Sequence, residues 1–296
     1  MKKIAILSFI LLVSVPALLA QRDPGTGPAP LSAMQTNASI LPVDGTTTSA
    51  ADLVEALLGP DVPYTILNAS FFQGLDSENQ PVSAAGLFRD GLQAGLGLRG
   101  GVVMSSGLIH HPFVENAINA QHGLPGDPDL DAISTAPDGT FDAAVLEFQF
   151  TAQGDLWPLR IVFGSFEQSN AIIDYDDAFA LFVNGTNVAL IPGTADAMTV
   201  NNFGPAVNED FFIDGSDSPG NELGWHTTPM GIDVPLVAGQ TYTVKLAIAD
   251  GDDTLVDSFI FLQSPHYPPV PLSGWGLYLA LGLILAGAVF MARRWM

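Results

Sequence analysis

Cysteine is absent from the 296-residue chain. No disulfide can staple the fold, no thiol can serve as nucleophile, and no lipid can be attached through a cysteine. Stability must come from the hydrophobic core, alone or with a bound ion. Positive charge is almost as scarce: nine Lys and Arg stand against 31 Asp and Glu, a formal net charge of −22 at pH 7. Five of the nine, Lys2, Lys3, Arg22, Arg293 and Arg294, lie at the two ends, leaving only Arg89, Arg99, Arg160 and Lys245 between them. A surface of that sign repels polyanions, which excludes nucleic acid as a partner. It suits divalent cations, or salty surroundings that screen the repulsion. A strand–helix–strand rhythm is also missing. The single GxGxxG match, Gly95 to Gly100, therefore lacks the context of a dinucleotide site and reads as tight turns.

The ends carry targeting features. Residues 1–20 pair a Lys2-Lys3 start with an apolar run and end on the small residue Ala20, the order of a secretory signal cleaved before Gln21. An uncleaved anchor is the other reading, but the apolar run is short for a span. Residues 21–50, rich in Pro, Gly, Ser and Thr, read as a flexible leader. At the other end a Pro-rich linker over 267–274 precedes a segment over 275–296. Trp275 to Ala292 is uncharged for about 18 residues and is followed by Arg293 and Arg294. That reads as a transmembrane helix with its arginines in the cytoplasm and the body outside.

Residues 51–266 read as the folded domain, and about 215 residues can bury a sizeable core. It opens with a short amphipathic helix: Leu53, Val54, Leu57 and Leu58 fall at helical spacing, and Gly59-Pro60 stops it. Thereafter the period is two. Leu146, Phe148 and Phe150 alternate with Glu147 and Gln149; Tyr242, Val244, Leu246 and Ile248 alternate with Thr243, Lys245 and Ala247. The stretch from Leu159 to Val183 holds two such runs around an acidic loop, the second apolar on both faces as in a covered strand. Asn184-Gly185 reads as a hairpin turn. The expected fold is all-β, a β-sandwich of jelly-roll type with eight to eleven strands, one short N-terminal helix and a separate C-terminal transmembrane helix.

Chemistry-bearing residues gather near strand ends. Asp127, Asp129 and Asp131 alternate in GDPDLD; Glu167, Asp174, Asp176 and Asp177 crowd into eleven positions; Asp250, Asp252, Asp253 and Asp257 follow the clearest strand. Crowded carboxylates either splay into water or are held by a cation. Hard oxygen ligands with no cysteine nearby favour calcium over zinc. The expected metal residues are Asp127, Asp129, Asp131, Glu167, Asp174, Asp176, Asp177 and Asp257, with one site drawing on Asp129, Glu167, Asp177 and Asp257. A hydrated acidic surface without metal is the alternative. His110, His111 and His122 could ligate zinc, yet show no fixed-spacing motif and read as loop histidines. Ser105 and Ser106 with His110 could be offered as nucleophile and base, but no GxSxG elbow is present, and no catalytic residue is assigned.

In order from Leu53 to Ser264, the stretches LVEALLGPDV, AAGLF, GLGLRGGVVMSSG, GDPDLD, FDAAVLEFQF, IVFGSFE, DDAFALFVNG, NVALIPGT, VNN and GQTYTVKLAIADGDDTLVDSFIFL resemble the choice-of-anchor L domain of bacterial surface proteins. Where that family often has two adjacent glutamates, this chain has Phe166 and then Glu167. The tail residues Pro271, Leu272, Ser273, Gly274, Trp275 and Gly276, before the apolar helix and Arg-Arg, resemble the Ile-Pro-Thr-Leu-x-x-Trp-Gly sorting signals, relatives of the PEP type. Val-Pro-Leu-Ser-Gly departs from their full consensus. The resemblance implies an exported precursor tethered in the inner membrane. A membrane-embedded sorting enzyme would then remove the helix and pass the protein to the cell surface or extracellular matrix. It implies no activity. The expected function is a structural or adhesive β-domain, not an enzyme. A calcium-dependent module that binds surface polysaccharide is the alternative, with Trp225, Tyr175 and Tyr267 as the aromatics to stack on sugars. The first 20 residues generate a direct test: sequencing the exported protein should find a mature N-terminus close to Gln21, and recovery of Met1 would refute the cleaved signal.

Overall fold

A computed structural model describes residues 39–44, 47–59, 64–73, 82–113, 122–167, 175–218 and 220–265. The signal segment, the sorting residues and the expected spanning helix lie outside the described residues. Within them, no helix is long and apolar enough to cross a membrane.

The first element already departs from expectation. The leader expected over 21–50 includes a strand, β1 (Ser39–Pro42), paired antiparallel with β3 (Ala85–Arg89). A Cβ at position 86 would run into the Leu41 carbonyl, so Gly86 is what lets β1 seat against β3. The short helix α1 (Ala50–Leu58) follows, opened by a capping box. The Ser49 and Asp52 backbone N–H groups each donate to the other's side chain, at 2.7 and 3.4 Å. Leu53, Val54, Leu57 and Leu58 are all buried, each worth about 1.5–3 kcal/mol of transfer free energy. At the C-terminus the Trp157 indole donates to the Leu57 carbonyl at 3.0 Å, satisfying one of the helix's orphan acceptors.

The remaining strands, in order, are β2 (Tyr64–Phe72), β4 (Gly100–Ser105), β5 (Thr140–Ala152), β6 (Leu156–Ser165), β7 (Ala178–Val183), β8 (Thr186–Asn187), β9 (Met198–Thr199), β10 (Phe212–Asp214), β11 (Trp225–Thr227), β12 (Met230–Pro235), β13 (Thr241–Gly251) and β14 (Ser258–Gln263). Fourteen strands among the described residues exceed the eight to eleven expected, because four of them are only two or three residues long. Strands that short have no alternation to read. One antiparallel sheet runs β1-β3-β4-β14-β6-β11-β10, with β12 also on β6; the other runs β2-β5-β13-β7-β8, with β9 on β7. The expected hairpin forms at Asn184 and Gly185, whose φ values of 50° and 80° are those of a type I′ turn.

Both sheets turn one face inward on a shared core. Phe163, Ile161, Met104 and Ile260 from the first meet Phe148, Leu246, Phe179 and Leu181 from the second. Period-two alternation therefore reads correctly on β5, and a two-sheet all-β sandwich results. The outer faces are covered too. Phe88, Val103, Phe259 and Phe261 pack under Leu96 and Leu98, so the glycine-rich stretch is a covering loop. On the other side Ala143, Ala178, Ala180, Ala247 and Ala249 leave room for Leu130 of α2 (Pro128–Asp131), which explains why β7 is apolar on both faces.

One buried histidine gives the fold a pH signature. His226, in β11, donates from Nδ1 to the Thr227 carbonyl at 2.9 Å and accepts at Nε2 from the Ser218 hydroxyl at 2.7 Å. Burial holds its pKa below the ordinary value, the Thr227 bond pulling the other way. The unfolded chain takes up a proton on this residue below about pH 6.5, the folded chain only at lower pH. Its contribution is therefore present above about pH 6.5 and lost as pH falls through the depressed folded value. In urea titrations, the stability margin of the natural chain over His226→Gln should narrow from about pH 7.5 to about pH 5. A margin independent of pH would remove this account.

Candidate functional site

Antiparallel pairing brings six strand termini to one end of the sandwich. The exits of β4, β6 and β13 meet the entries of β5, β7 and β14: Ser258 pairs with Ser165, Phe259 with Ser105, Asp250 with Phe141, and Ala249 with Ala178. The acidic residues that border these strands are thereby drawn inward rather than splayed. Asp142, Asp176, Asp177, Asp250 and Asp257 are all buried, each at most 2% exposed.

Four of the five have identified partners. Asp176 accepts from the Thr135 N–H at 2.9 Å, the Thr135 hydroxyl at 2.8 Å and the Asn201 N–H at 2.9 Å. Asp177 accepts from the Gly251 N–H at 2.9 Å and, across the two sheets, from the Ser258 hydroxyl at 2.5 Å. Asp257 meets His111 Nδ1 at 3.2 Å, and a Cβ at position 107 would occupy the space of its carboxylate, which is why Gly107 stands there. Asp142 accepts from the N–H groups of His122 and Leu124. It has φ 51° where the β5–β13 register shifts between Ile248 and Asp250. Asp250 differs: both carboxylate oxygens are buried and neither has a hydrogen-bond partner.

The electrostatics follow from this geometry. Burial pushes the Asp177 carboxyl well above the usual range; Ser258 and Gly251 pull it down, while Glu167 and Asp176 push it further up. Burial likewise drives Asp250 well up, reinforced by Asp177, Asp257 and Asp142. The Ser106 hydroxyl, which accepts from the Ser258 N–H at 2.9 Å, pulls Asp250 in the other direction. Asp142 is raised by burial against its backbone donors. A carboxylate kept charged here without a counter-ion costs several kcal/mol.

The other expected residues fall differently. Glu167 lies at the β6 exit, where its carbonyl accepts from the Trp225 indole at 2.9 Å. Asp174 lies outside the described residues. The GDPDLD stretch is a capped turn, not an open acidic loop. Asp127 caps α2 by accepting from the Asp129 N–H at 3.0 Å, and Asp131 accepts from the Thr140 N–H and hydroxyl at 2.7 Å each. Lys245 reaches from β13 to the Asp127 and Asp129 carboxylates, 2.7 Å from each. Burial works against the Lys245 charge, but the two aspartates outweigh it and raise its pKa. The set Asp129, Glu167, Asp177 and Asp257 is therefore not one cluster: Asp129 belongs to Lys245. Among the described residues no group of three or more His, Asp or Glu side chains is spaced to hold a metal ion. That applies to His110, His111 and His122 as well.

Two further expectations meet clear geometry. Trp225, offered as a sugar-stacking aromatic, is 1% exposed and packs on Phe163, Phe203 and Phe212. Ser105 accepts from the Gly107 N–H at 2.9 Å and Ser106 is engaged with Ser258, so neither serine is hydrogen-bonded to His110. Asp142 is the site residue that pattern reading missed, and Asp250, though named in the third acidic cluster, lies outside the expected metal set. A signal for Asp250 existed: it continues the parity that points Tyr242, Val244, Leu246 and Ile248 into the core.

These sheets and this buried acidic end define a two-sheet all-β domain whose polar strand termini are consumed in holding it together. The chain belongs to the choice-of-anchor L domain family, whose match spans residues 42–267. Membership makes it an exported, surface-associated bacterial protein. No curated protein matches the chain. Among solved structures, a β-glucosidase from Kluyveromyces marxianus in complex with glucose aligns at 11% identity over 67% of this chain and 17% of its own, with a TM-score of 0.25. A likeness that low carries no argument.

The lysine clamp yields a prediction. Lys245→Met leaves Asp127 and Asp129 facing each other without a counter-charge, and should destabilise the full-length chain by about 1–2 kcal/mol in urea titration. An unchanged midpoint would show that water already screens the pair.

Proposed function

We propose that the chain is a non-catalytic structural or adhesive module of the cell surface or extracellular matrix, stabilised by calcium. One observation carries the non-catalytic part: the residues best suited to chemistry are buried and tied into bonds with one another. Ser106 bonds with Ser258, Ser258 with Asp177, His111 with Asp257 and His226 with Ser218. A nucleophile so engaged, and shielded from solvent, has no route to a substrate. Calcium is supported by the surplus of buried carboxylates over basic partners and by hard oxygen donors in a chain without cysteine.

Tethering belongs to the same proposal. The tail from Pro271 to Gly276, the apolar run after it, and Arg293 and Arg294 as its cytoplasmic stop would hold the precursor in the inner membrane. A membrane-embedded sorting enzyme would then act on that tail and pass the body to the surface. The partners are accordingly that enzyme, the membrane, and the polysaccharide or matrix of the surface.

The full-length chain in neutral detergent should release no reducing sugar from a panel of purified polysaccharides above a protein-free control. Release would overturn the non-catalytic reading. Retardation in gels containing one polysaccharide, abolished by chelator, would replace structural adhesion by calcium-dependent sugar binding.

A further inference from the structure

Asp250 is the most anomalous side chain in the domain. It is fully buried at the inward parity of β13, and neither of its oxygens has a hydrogen-bond partner. The charges acting on it most strongly, Asp177, Asp257 and Asp142, all share its sign. Among the described residues no lysine or arginine forms an ion pair with Asp250. Lys245 is spent on Asp127 and Asp129, Arg89 pairs with Gly100 at the far end of β4, and Arg160 lies mid-strand opposite Gly231 and Gln263. His111 meets Asp257. A fully buried carboxylate with no hydrogen-bond partner lacks the counterpart that buried polar groups ordinarily have.

We propose that Asp250 and Asp177 bind one calcium ion at the end of the sandwich where β13, β7 and β14 meet. Each Asp177 oxygen accepts one hydrogen bond, from Gly251 or Ser258, and so keeps lone-pair capacity for a cation while held in place. Because no three His, Asp or Glu side chains converge among the described residues, the compact side-chain shell of zinc does not fit. Two carboxylates completed by carbonyl, hydroxyl and water oxygens are a calcium arrangement. Gly107 makes room for the Asp257 carboxylate beside this pair, since a Cβ there would overlap it. This inference rests on the reading that calcium stabilises the domain, and it moves the site away from Asp127, Asp129 and Asp131.

The test is thermal melting of the full-length chain in neutral detergent, in chelator, calcium, magnesium and sodium chloride of matched ionic strength. Calcium about a hundredfold above its Kd should raise the Tm by roughly 5–10 °C, with magnesium and sodium far behind. Asp250→Asn and Asp177→Asn should lose that rise, whereas Asp129→Asn keeps it. In chelator, Asp250→Asn should melt at or above the natural chain, because it removes an uncompensated charge. Calorimetric titration should find one calcium per chain, absent in Asp250→Asn. If the natural chain responds and Asp250→Asn responds equally, this site is overturned while calcium stabilisation stands. Equal shifts with all salts overturn both. A magnesium shift as large as calcium's overturns the identity of the ion. An Asp250→Asn chain that melts well below the natural one in chelator assigns Asp250 a metal-independent role and overturns the proposal.

Discussion

The hydrogen bond from the Ser258 hydroxyl to Asp177, 2.5 Å long, fastens the entry of β14 in one sheet to the entry of β7 in the other. Sandwich cores are held by apolar packing that is indifferent to small slips along the strands. A bond between strand entries of opposite sheets removes that freedom. The Asp177 carboxylate also holds the Gly251 N–H at the exit of β13, so three strands share one anchor. In a chain without disulfides this polar knot does part of what a covalent staple does elsewhere. It also explains why the end is so acidic: a carboxylate accepts several backbone and hydroxyl donors at once, as Asp176 and Asp177 both do.

That economy has a cost, visible at Asp250. Bringing six strand termini together buries more carboxylates than the loops have donors for. The register shift between Ile248 and Asp250, with Asp142 in a left-handed conformation at the same place, fits the extra acidic residue into the ladder without exposing it. The loop to β14 bends sharply as well, with φ 71° at Asp252 and 62° at Val256. A β-branched residue in that conformation is uncommon, and it persists only where its surroundings dictate it.

Much of the fold was legible because burial imposes a period of two. β5 and β13 alternate inward and outward over enough residues to be read directly, and α1 shows its face, its cap and its stop. The paired φ values required at Asn184 and Gly185 made the hairpin visible too. Strands β8 to β11, with two or three residues each, carry no such pattern, and β1 hid among turn-forming residues. The candidate site was harder for a different reason. Sequence proximity groups acids by loop, whereas the sandwich groups them by end. Asp129 therefore falls to Lys245, 116 positions away, while Asp250 and Asp177 converge from separate strands. Trp225 shows the same limit: an aromatic in a polar loop region looks exposed until the core it fills is assembled.

The edge strand β2 bears on how such a domain lives among many copies of itself. Among the described residues it pairs only with β5, and its register slips between Ile66 and Asn68, leaving Leu67 bulged outward and 54% exposed. A regular nine-residue edge would offer an unbroken ladder of N–H and C=O groups to any neighbouring chain. The bulge divides that ladder into two short runs whose spacings no straight strand can satisfy together. Crowded side by side, two such domains meet along this strand at an edge that one continuous ladder cannot bridge.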